Sequence, residues 1–354
     1  MRISLTLAIL MLPQQPSQGV ATSWHLEYLN ITEAHRISRG SGVVVAVIDS
    51  GVEPIPSLEH ALLPGISFVE GDDSQGSTDE HGHGTAISKL IAASENDRDK
   101  GISPASKILP VRVLDGRGNG QTDATTEGIR WATDHGADVI NVSTTGGPDS
   151  DLRRAVEDAI SKDIIVVAST GNRPEQNIIG FPAYVDGVVA VGATDQLGNV
   201  SAISATGDKL SLAAPGVGLL GESGSNGQSG TGTSGAAAIV SGVAALVWSR
   251  YPELSAAEVV RRMTATAVDK GAPGRDPEYG FGIVDPVAAL TADVPPLEAS
   301  GEPTRGGASG QAAPAPERNT PGRVAVIVVA VAASLLGVAL LVVRLRVRRR
   351  GPGG

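Results

Sequence analysis

An aspartate, a histidine, a serine and an asparagine stand at four turn-rich junctions of this sequence, and together they could run nucleophilic acyl transfer. Asp49 closes the β-branched run 43–48 and precedes Ser50-Gly51. His83 lies in His81-Gly82-His83-Gly84-Thr85, at the head of an apolar stretch over 86–93. Ser234 lies in Gly230-Thr-Gly-Thr-Ser-Gly235, just ahead of a small-residue apolar stretch over 236–248. Asn172 follows Ile165-Val-Val-Ala-Ser-Thr-Gly171. A hydroxyl nucleophile needs a base to take its proton, a carboxylate to orient that base, and donors for the oxyanion that forms on attack. These four residue types supply those parts.

Taken singly, each has a plainer explanation. Asp49 could be an Asx-turn residue or a helix cap. Ser234 could be the N-cap of a buried helix, and Gly-Asn172 an ordinary turn dipeptide. The paired histidines invite a metal site, but they stand at i and i+2 without the i, i+4 spacing and glutamate of a zinc helix. A phosphate loop at Ser234 fails because no lysine follows the glycines. The coincidence of all four at strand ends or a helix start is what favours the catalytic reading.

The elements that must hold them alternate. The runs 43–48, 108–114, 137–143, 164–168 and 188–193 read as strands buried on both faces. Segments 122–135 and 151–161 have helical spacing, the first with Ile129, Trp131 and Ala132 on one side. Such alternation predicts an α/β fold, with right-handed crossovers and a mostly parallel sheet covered on both faces. In such sheets ligands bind beyond the carboxyl ends of the strands, where Asp49 and Asn172 fall. A serine at a helix start would have free N–H groups and a favourable dipole beside it. Gly84 is expected to let backbone and substrate approach His83 closely.

The chain has 354 residues, a net charge of −10 and no cysteine. Disulfides, thiolate metal sites and a cysteine nucleophile are excluded, and no clustered basic face suggests nucleic acid. Met1-Arg2 and the apolar run 3–12, with Gly19 and Ala21 as small residues before a cut, predict a signal peptide over 1–21. Residues 324–343 are twenty in a row without a charge, enough to span ~30 Å of hydrocarbon. Five arginines follow within 344–350. They predict a cytoplasmic tail over 344–354 and place the preceding domain outside a cell membrane crossed once. Between these, 291–323 is rich in Pro, Gly, Ala and Ser and is expected to be a disordered tether. The folded unit is then 22–290. Cleavage after Ala21 would leave no room for a separate prodomain before Asp49. Residues 24–39 are therefore expected to stay as an arm, with Trp24, Leu26, Leu29 and Ile31 packed on the domain.

At this point the sequence resembles the subtilisin-like (subtilase) serine proteases. Val47-Ile-Asp-Ser-Gly51, His81-Gly-His-Gly-Thr85 and Gly232-Thr-Ser234 are similar to the three triad blocks of that family, in its order. Leu114-Asp-Gly-Arg-Gly-Asn-Gly120, Asp138-Val-Ile-Asn-Val-Ser143 and Val167-Ala-Ser-Thr-Gly-Asn172 resemble its substrate edge, pocket wall and oxyanion block. The segments around Trp24 and 34–40, with the tether, anchor and basic tail, further resemble the mycosins, membrane-bound subtilases associated with actinobacterial type VII secretion.

The resemblance implies a three-layer subtilisin-like fold followed by one transmembrane helix. It implies a serine endopeptidase acting on protein or peptide substrates, with Asp49, His83 and Ser234 catalytic. Asn172 and the Ser234 N–H would bind the oxyanion. Gly118, Asn119, Gly120, Ser143, Thr144, Thr145 and Gly146 would pair with substrate. No cofactor is expected; a structural calcium ion is compatible with the family but not readable from the residues. A type VII secretion complex is the implied partner, and a mainly structural role within it is the alternative to proteolysis. The sequence departs from the family at Gly235, Ala238 and Ile239, which could loosen the helix carrying Ser234. It also carries what reads as one extra residue in 143–147.

Overall fold

A computed structural model describes residues 23–97, 99–219 and 232–295. The segments expected to be a signal peptide, a membrane helix and a cytoplasmic tail, and all of the expected tether beyond residue 295, lie outside them. Among the described residues no helix is long and apolar enough to cross a membrane.

Seven strands form one sheet: β1 (Val44–Asp49), β2 (Ile66–Ser67), β3 (Lys107–Arg112), β4 (Val139–Val142), β5 (Ile165–Ser169), β6 (Val189–Thr194) and β7 (Leu212–Pro215). Their spatial order is β2-β3-β1-β4-β5-β6-β7, and every pairing is parallel. The chain therefore starts in the middle of the sheet, goes out to β2 at the edge, comes back to β3 beside β1, then crosses to the other side of β1 for β4. Neighbouring crossovers diverge there and leave a crevice beyond the strand ends.

Alternation along the strands sorts side chains to two cores. Val45, Val47, Val139, Ile165 and Val167 pack under α3 (His83–Ala92) and α6 (Thr233–Arg250). Ala46, Ile48, Ile140, Val142 and Val166 pack under α4 (Thr122–Asp134) and α5 (Ser150–Ser161). Asp49 shares the parity of Val45 and Val47, so it belongs to the face covered by α3 and α6. Those two helices begin at the His83 and Ser234 blocks.

Beyond the apolar stretch 236–248, α6 takes in Thr233, Ser234 and Gly235 at its start and Ser249 and Arg250 at its end. It runs unbroken through Gly235 and Ala238, with Ile239 fully buried, so the departures from the family pattern do not interrupt it. Every residue from Thr233 to Trp248 is buried, as expected of a helix with no polar face. Small residues let it lie close to its neighbours: a Cβ on Gly242 would meet Ile102 at 2.6 Å.

The expected N-terminal arm is helical, as α1 (Trp24–Tyr28) and α2 (Ile31–Ile37). Leu29, Ile31 and Ala34 enter the α3/α6 core, with Trp24 and Leu26 half-buried against it. The Trp24 indole N–H donates to the Gly218 carbonyl at 3.1 Å, and Ser23 donates to Asp99. At the other end, α7 (Ala256–Ala265) is started by a Ser255–Glu258 capping box, and α8 (Pro286–Thr291) packs beside α2. Arg262 donates to the carbonyls of Ala289 and Ala292, and Arg261 to that of Pro295. Residues 291–295, at the start of the expected tether, are thus bonded to the domain.

Candidate active site

The carboxyl end of β1 and the start of α3 meet at van der Waals limits. A Cβ on Gly84 would fall 2.1 Å from the Gly51 carbonyl oxygen and 3.1 Å from Asp49 Cβ. Only glycine permits this close approach of backbone, which is one half of what was expected of Gly84: it makes room for the end of β1. The approach places His83 Nδ1 at 2.8 and 2.9 Å from the two oxygens of Asp49. Asp49 is wholly buried, and its Oδ1 also accepts the Ser50 N–H at 2.7 Å.

A carboxylate on Nδ1 fixes the proton there and leaves Nε2 as an acceptor. The burial of His83 works against its charged form. The charge of Asp49, the hydrogen bond to it and the more distant charge of Asp79 outweigh that, so the imidazole pKa is raised above its ordinary 6.5.

Ser234 is the second residue of α6, only 7% exposed. It opens on the same cleft as His83, a space of about 460 Å³. In this state its hydroxyl donates to the Ser143 carbonyl at 3.4 Å rather than to His83. The serine–histidine link is therefore the one contact of the expected triad not made. Catalytic hydrogen bonds of unliganded enzymes are often long and close only around substrate.

Asn172 lies beside the turn into α6. Its Oδ1 accepts the Thr233 N–H at 3.0 Å and the Thr233 hydroxyl at 3.1 Å. This orients the amide so that Nδ2 is the donor left for a ligand. Gly232 is needed there on two counts: its φ is +103°, and a Cβ would lie 2.8–2.9 Å from the amide atoms of Asn172.

All seven residues expected to meet substrate line this cleft: Gly118, Asn119, Gly120, Ser143, Thr144, Thr145 and Gly146. Their backbone groups are not equally available. Gly146 exchanges both of its bonds with Phe181 (2.9 and 3.0 Å), so it cannot also pair with an added strand. Asp115 accepts the N–H groups of Arg117 and Asn119 at 2.9 Å each and shapes the opposite edge. Asn119 closes that turn through its carbonyl to Asp115 N–H at 2.8 Å. The Gly118 N–H is likewise held by the Asp115 carbonyl at 2.9 Å, so the Gly118 carbonyl, Gly120, Thr144 and Thr145 remain as the edges of the slot.

Sequence reasoning missed three supports. Thr233 orients Asn172. Asn141, fully buried, accepts from Ser241 of α6 at 3.0 Å and donates to Ser143 at 3.0 Å, tying β4 to α6. Asp79 lies under the start of α3 and bonds Ser50, Gly82 and Thr85. A buried Asn in a strand and an Asp shortly before the His block were visible signals for the last two. Among the described residues, no group of three or more His, Cys, Asp or Glu gathers in a way that could hold a metal ion.

The subtilase family model matches residues 40–282, which contain every residue described above except the arm and the C-terminal segment. The chain belongs to the subtilase family. It is a serine protease of the subtilisin type. Among its relatives, subtilisin DY of Bacillus licheniformis is 38% identical over 258 residues, 71% of this subtilase and 92% of that protein. Subtilisin Savinase of Lederbergia lenta is 36% identical, over 75% of this chain and 97% of its own. Among solved structures, MycP1 from Mycobacterium smegmatis is 29% identical with a TM-score of 0.70, covering 82% of this subtilase and 91% of that chain. The MycP3 protease of the type VII (ESX-3) secretion system is 32% identical with a TM-score of 0.65, covering 77% and 89%. A crystal structure of MycP1 described as having its N-terminal propeptide removed is 32% identical with a TM-score of 0.69, covering 77% and 98%. The mycosin likeness of the sequence thus extends to the fold.

Proposed function

We propose that this subtilase is an endopeptidase of the type VII secretion apparatus, cleaving protein segments outside the cytoplasm with Asp49, His83 and Ser234 as its triad. The observation that carries the triad is the pair of contacts from His83 Nδ1 to both oxygens of buried Asp49, with Ser234 on the same cleft. A substrate entering as an added strand displaces the Ser234 hydroxyl from the Ser143 carbonyl toward His83 Nε2. His83 takes the proton as Ser234 Oγ attacks the peptide carbonyl. Asn172 Nδ2 and the Ser234 N–H then stabilise the oxyanion. The imidazolium, held by Asp49, protonates the leaving amine. Water repeats the sequence on the acyl-enzyme and frees the serine.

The link to secretion rests on the mycosin neighbours, three of which are described as belonging to type VII systems. The signal segment, the apolar run 324–343 and the arginines after it support a single-pass anchor with the catalytic domain outside. Fluorophosphonate labelling of the membrane-extracted protein followed by peptide mapping tests the triad: the adduct belongs on Ser234, and an adduct elsewhere refutes the assignment. Protease added to intact cells tests the topology, since it should release the domain by cutting within 296–323.

A second reading, in which the domain mainly stabilises the secretion complex, is favoured by one observation. A MycP1 relative is described as an essential component of its system. A Ser234→Ala strain separates the two: preserved secretion with lost processing supports the structural role.

A further inference from the structure

Asp79 is 4% exposed, yet every hydrogen bond it receives comes from a neutral donor. Oδ1 accepts the Ser50 hydroxyl at 2.8 Å and the Gly82 N–H at 2.7 Å. Oδ2 accepts the Thr85 N–H at 2.8 Å and the Thr85 hydroxyl at 2.6 Å. An amide could not accept at both ends, so four converging donors call for a carboxylate. A capping role for α3 explains the bonds to Gly82 and Thr85, which are donors at the start of that helix. It does not explain Ser50, which belongs to the end of β1.

Ser50 is the bridge. Its hydroxyl lies 2.8 Å from Asp79 and 3.2 Å from Asp49 Oδ1, and it has one proton to give. The shorter contact assigns that proton to Asp79. The Ser50 oxygen then accepts the Gly84 N–H at 3.0 Å. Asp49 is left to hold the Ser50 N–H and His83 alone.

We propose that Asp79 is a positioning residue for proton transfer: through Ser50 and the first turn of α3 it clamps His83 against Asp49, and it withdraws the Ser50 proton from Asp49. This rests on His83 being the general base. Neither Asp79 nor Ser50 lines the cleft, so their effect reaches substrate only through His83. Removing the Asp79 carboxylate would act on His83 in two ways of the same sign. One negative charge near the imidazole disappears, and the Ser50 hydroxyl turns to share Asp49. Both favour neutral His83. The titratable groups facing His83 are Asp49 from β1, Asp79 beneath the helix start, and His81 on the preceding turn, its ring centroid 6.0 Å away.

The test uses full-length detergent-extracted enzyme, its active sites counted by fluorophosphonate, and a fluorogenic peptide cleaved by the wild type. Asp79→Asn is expected to lower kcat and to move the acid midpoint of kcat/KM down by about half a pH unit or more, with KM within about twofold. Ser50→Ala, which removes no charge, is expected to lower kcat about tenfold with the midpoint in place, and Ser50→Thr to restore most of the loss. An unmoved midpoint in folded Asp79→Asn overturns the proposal, even if its thermal stability falls. If Asp79→Asn does not fold, the Ser50 pair decides, and wild-type kcat in Ser50→Ala overturns it. His83→Ala and Ser234→Ala run alongside. If those variants still hydrolyse the peptide, the reading of the base has failed, a different result from a failure of the Asp79 proposal alone.

Discussion

Gly84 and Gly51 touch backbone to backbone, and that contact sets how near His83 comes to Asp49. A methyl group on Gly84 would lie 2.1 Å from the Gly51 oxygen, a separation no rotamer can relieve. Gly84→Ala should therefore push α3 off the end of β1. We expect a loss of about 1–3 kcal/mol in stability and at least ~10²-fold in kcat/KM from the misplaced imidazole. Gly147→Ala is the comparison, since nothing lies within 4 Å of its Cβ position; thermal melts should place it within ~0.5 kcal/mol of wild type. Equal behaviour of the two variants would contradict the packing argument.

Activity should fall on acidification through one ionisation with a midpoint above 6.5, because Asp49 and Asp79 outweigh the effect of burial on His83. The sign follows from the role: the base works only when neutral, so a raised pKa moves the active range toward alkaline pH. A pH profile of kcat/KM checks this. A profile flat down to pH 4 would remove His83 from the mechanism.

Stability should have its own acid limb, set in the arm. His25 is 2% exposed, and burial lowers its pKa from 6.5 to about 4 against the opposing pull of Asp99. The unfolded chain then binds the proton more readily than the folded one. Stability is full above 6.5, declines as pH falls toward 4, and loses up to ~3 kcal/mol over that window. His35, also lowered by burial, adds a loss of the same sign. Urea unfolding of Ser234→Ala at pH 7 and pH 4.5, with and without His25→Phe, isolates the His25 share. Identical losses in both proteins would rule it out.

Asn172→Ala should lower kcat with little change in KM. The magnitude, on the order of 10²–10³, is carried over from the side-chain oxyanion donor of subtilisin itself. Asn172→Asp is more discriminating. It keeps an acceptor for the Thr233 N–H and hydroxyl but sets a negative charge beside the oxyanion. We expect a loss at least as large as that of alanine, and a smaller one would mean that Asn172 acts only by holding Thr233.

Most of the sheet was legible because its strands are buried on both faces and spell continuous β-branched runs; β1 and β6 are each displaced by a single residue from 43–48 and 188–193. β2, two residues long, carries no such signal. The site blocks were legible as Gly-flanked polar residues at strand ends. Asn141 and Asp79 stood out as polar residues, but a lone polar residue in an apolar or loop segment shows its purpose only once Ser241 or Ser50 is brought to it from elsewhere in the chain. The availability of Gly146 was misjudged for a related reason: its partner Phe181 belongs to a distant loop. The helices of the arm were hidden by their shortness, five and seven residues.

The arm should persist in the active enzyme. Ile31 and Ala34 are fully buried in the main core, and their removal would open it to water. Intact-mass measurement of active, membrane-extracted protein should give an N-terminus near Thr22. An active form beginning after Arg39 would falsify this and make the arm an activation peptide.

The bonds from Arg261 and Arg262 to the backbone of 289–295 decide where mechanical load enters the domain. A pull on the chain from beyond residue 295 is met first by these two guanidinium groups, then by α8 and the α2 surface it lies on. Asp49, His83 and Ser234 sit on β1 and on the N-terminal ends of α3 and α6, off that line. Tension on such a tether would meet the seam between α2 and α8 before it could reach the proposed triad.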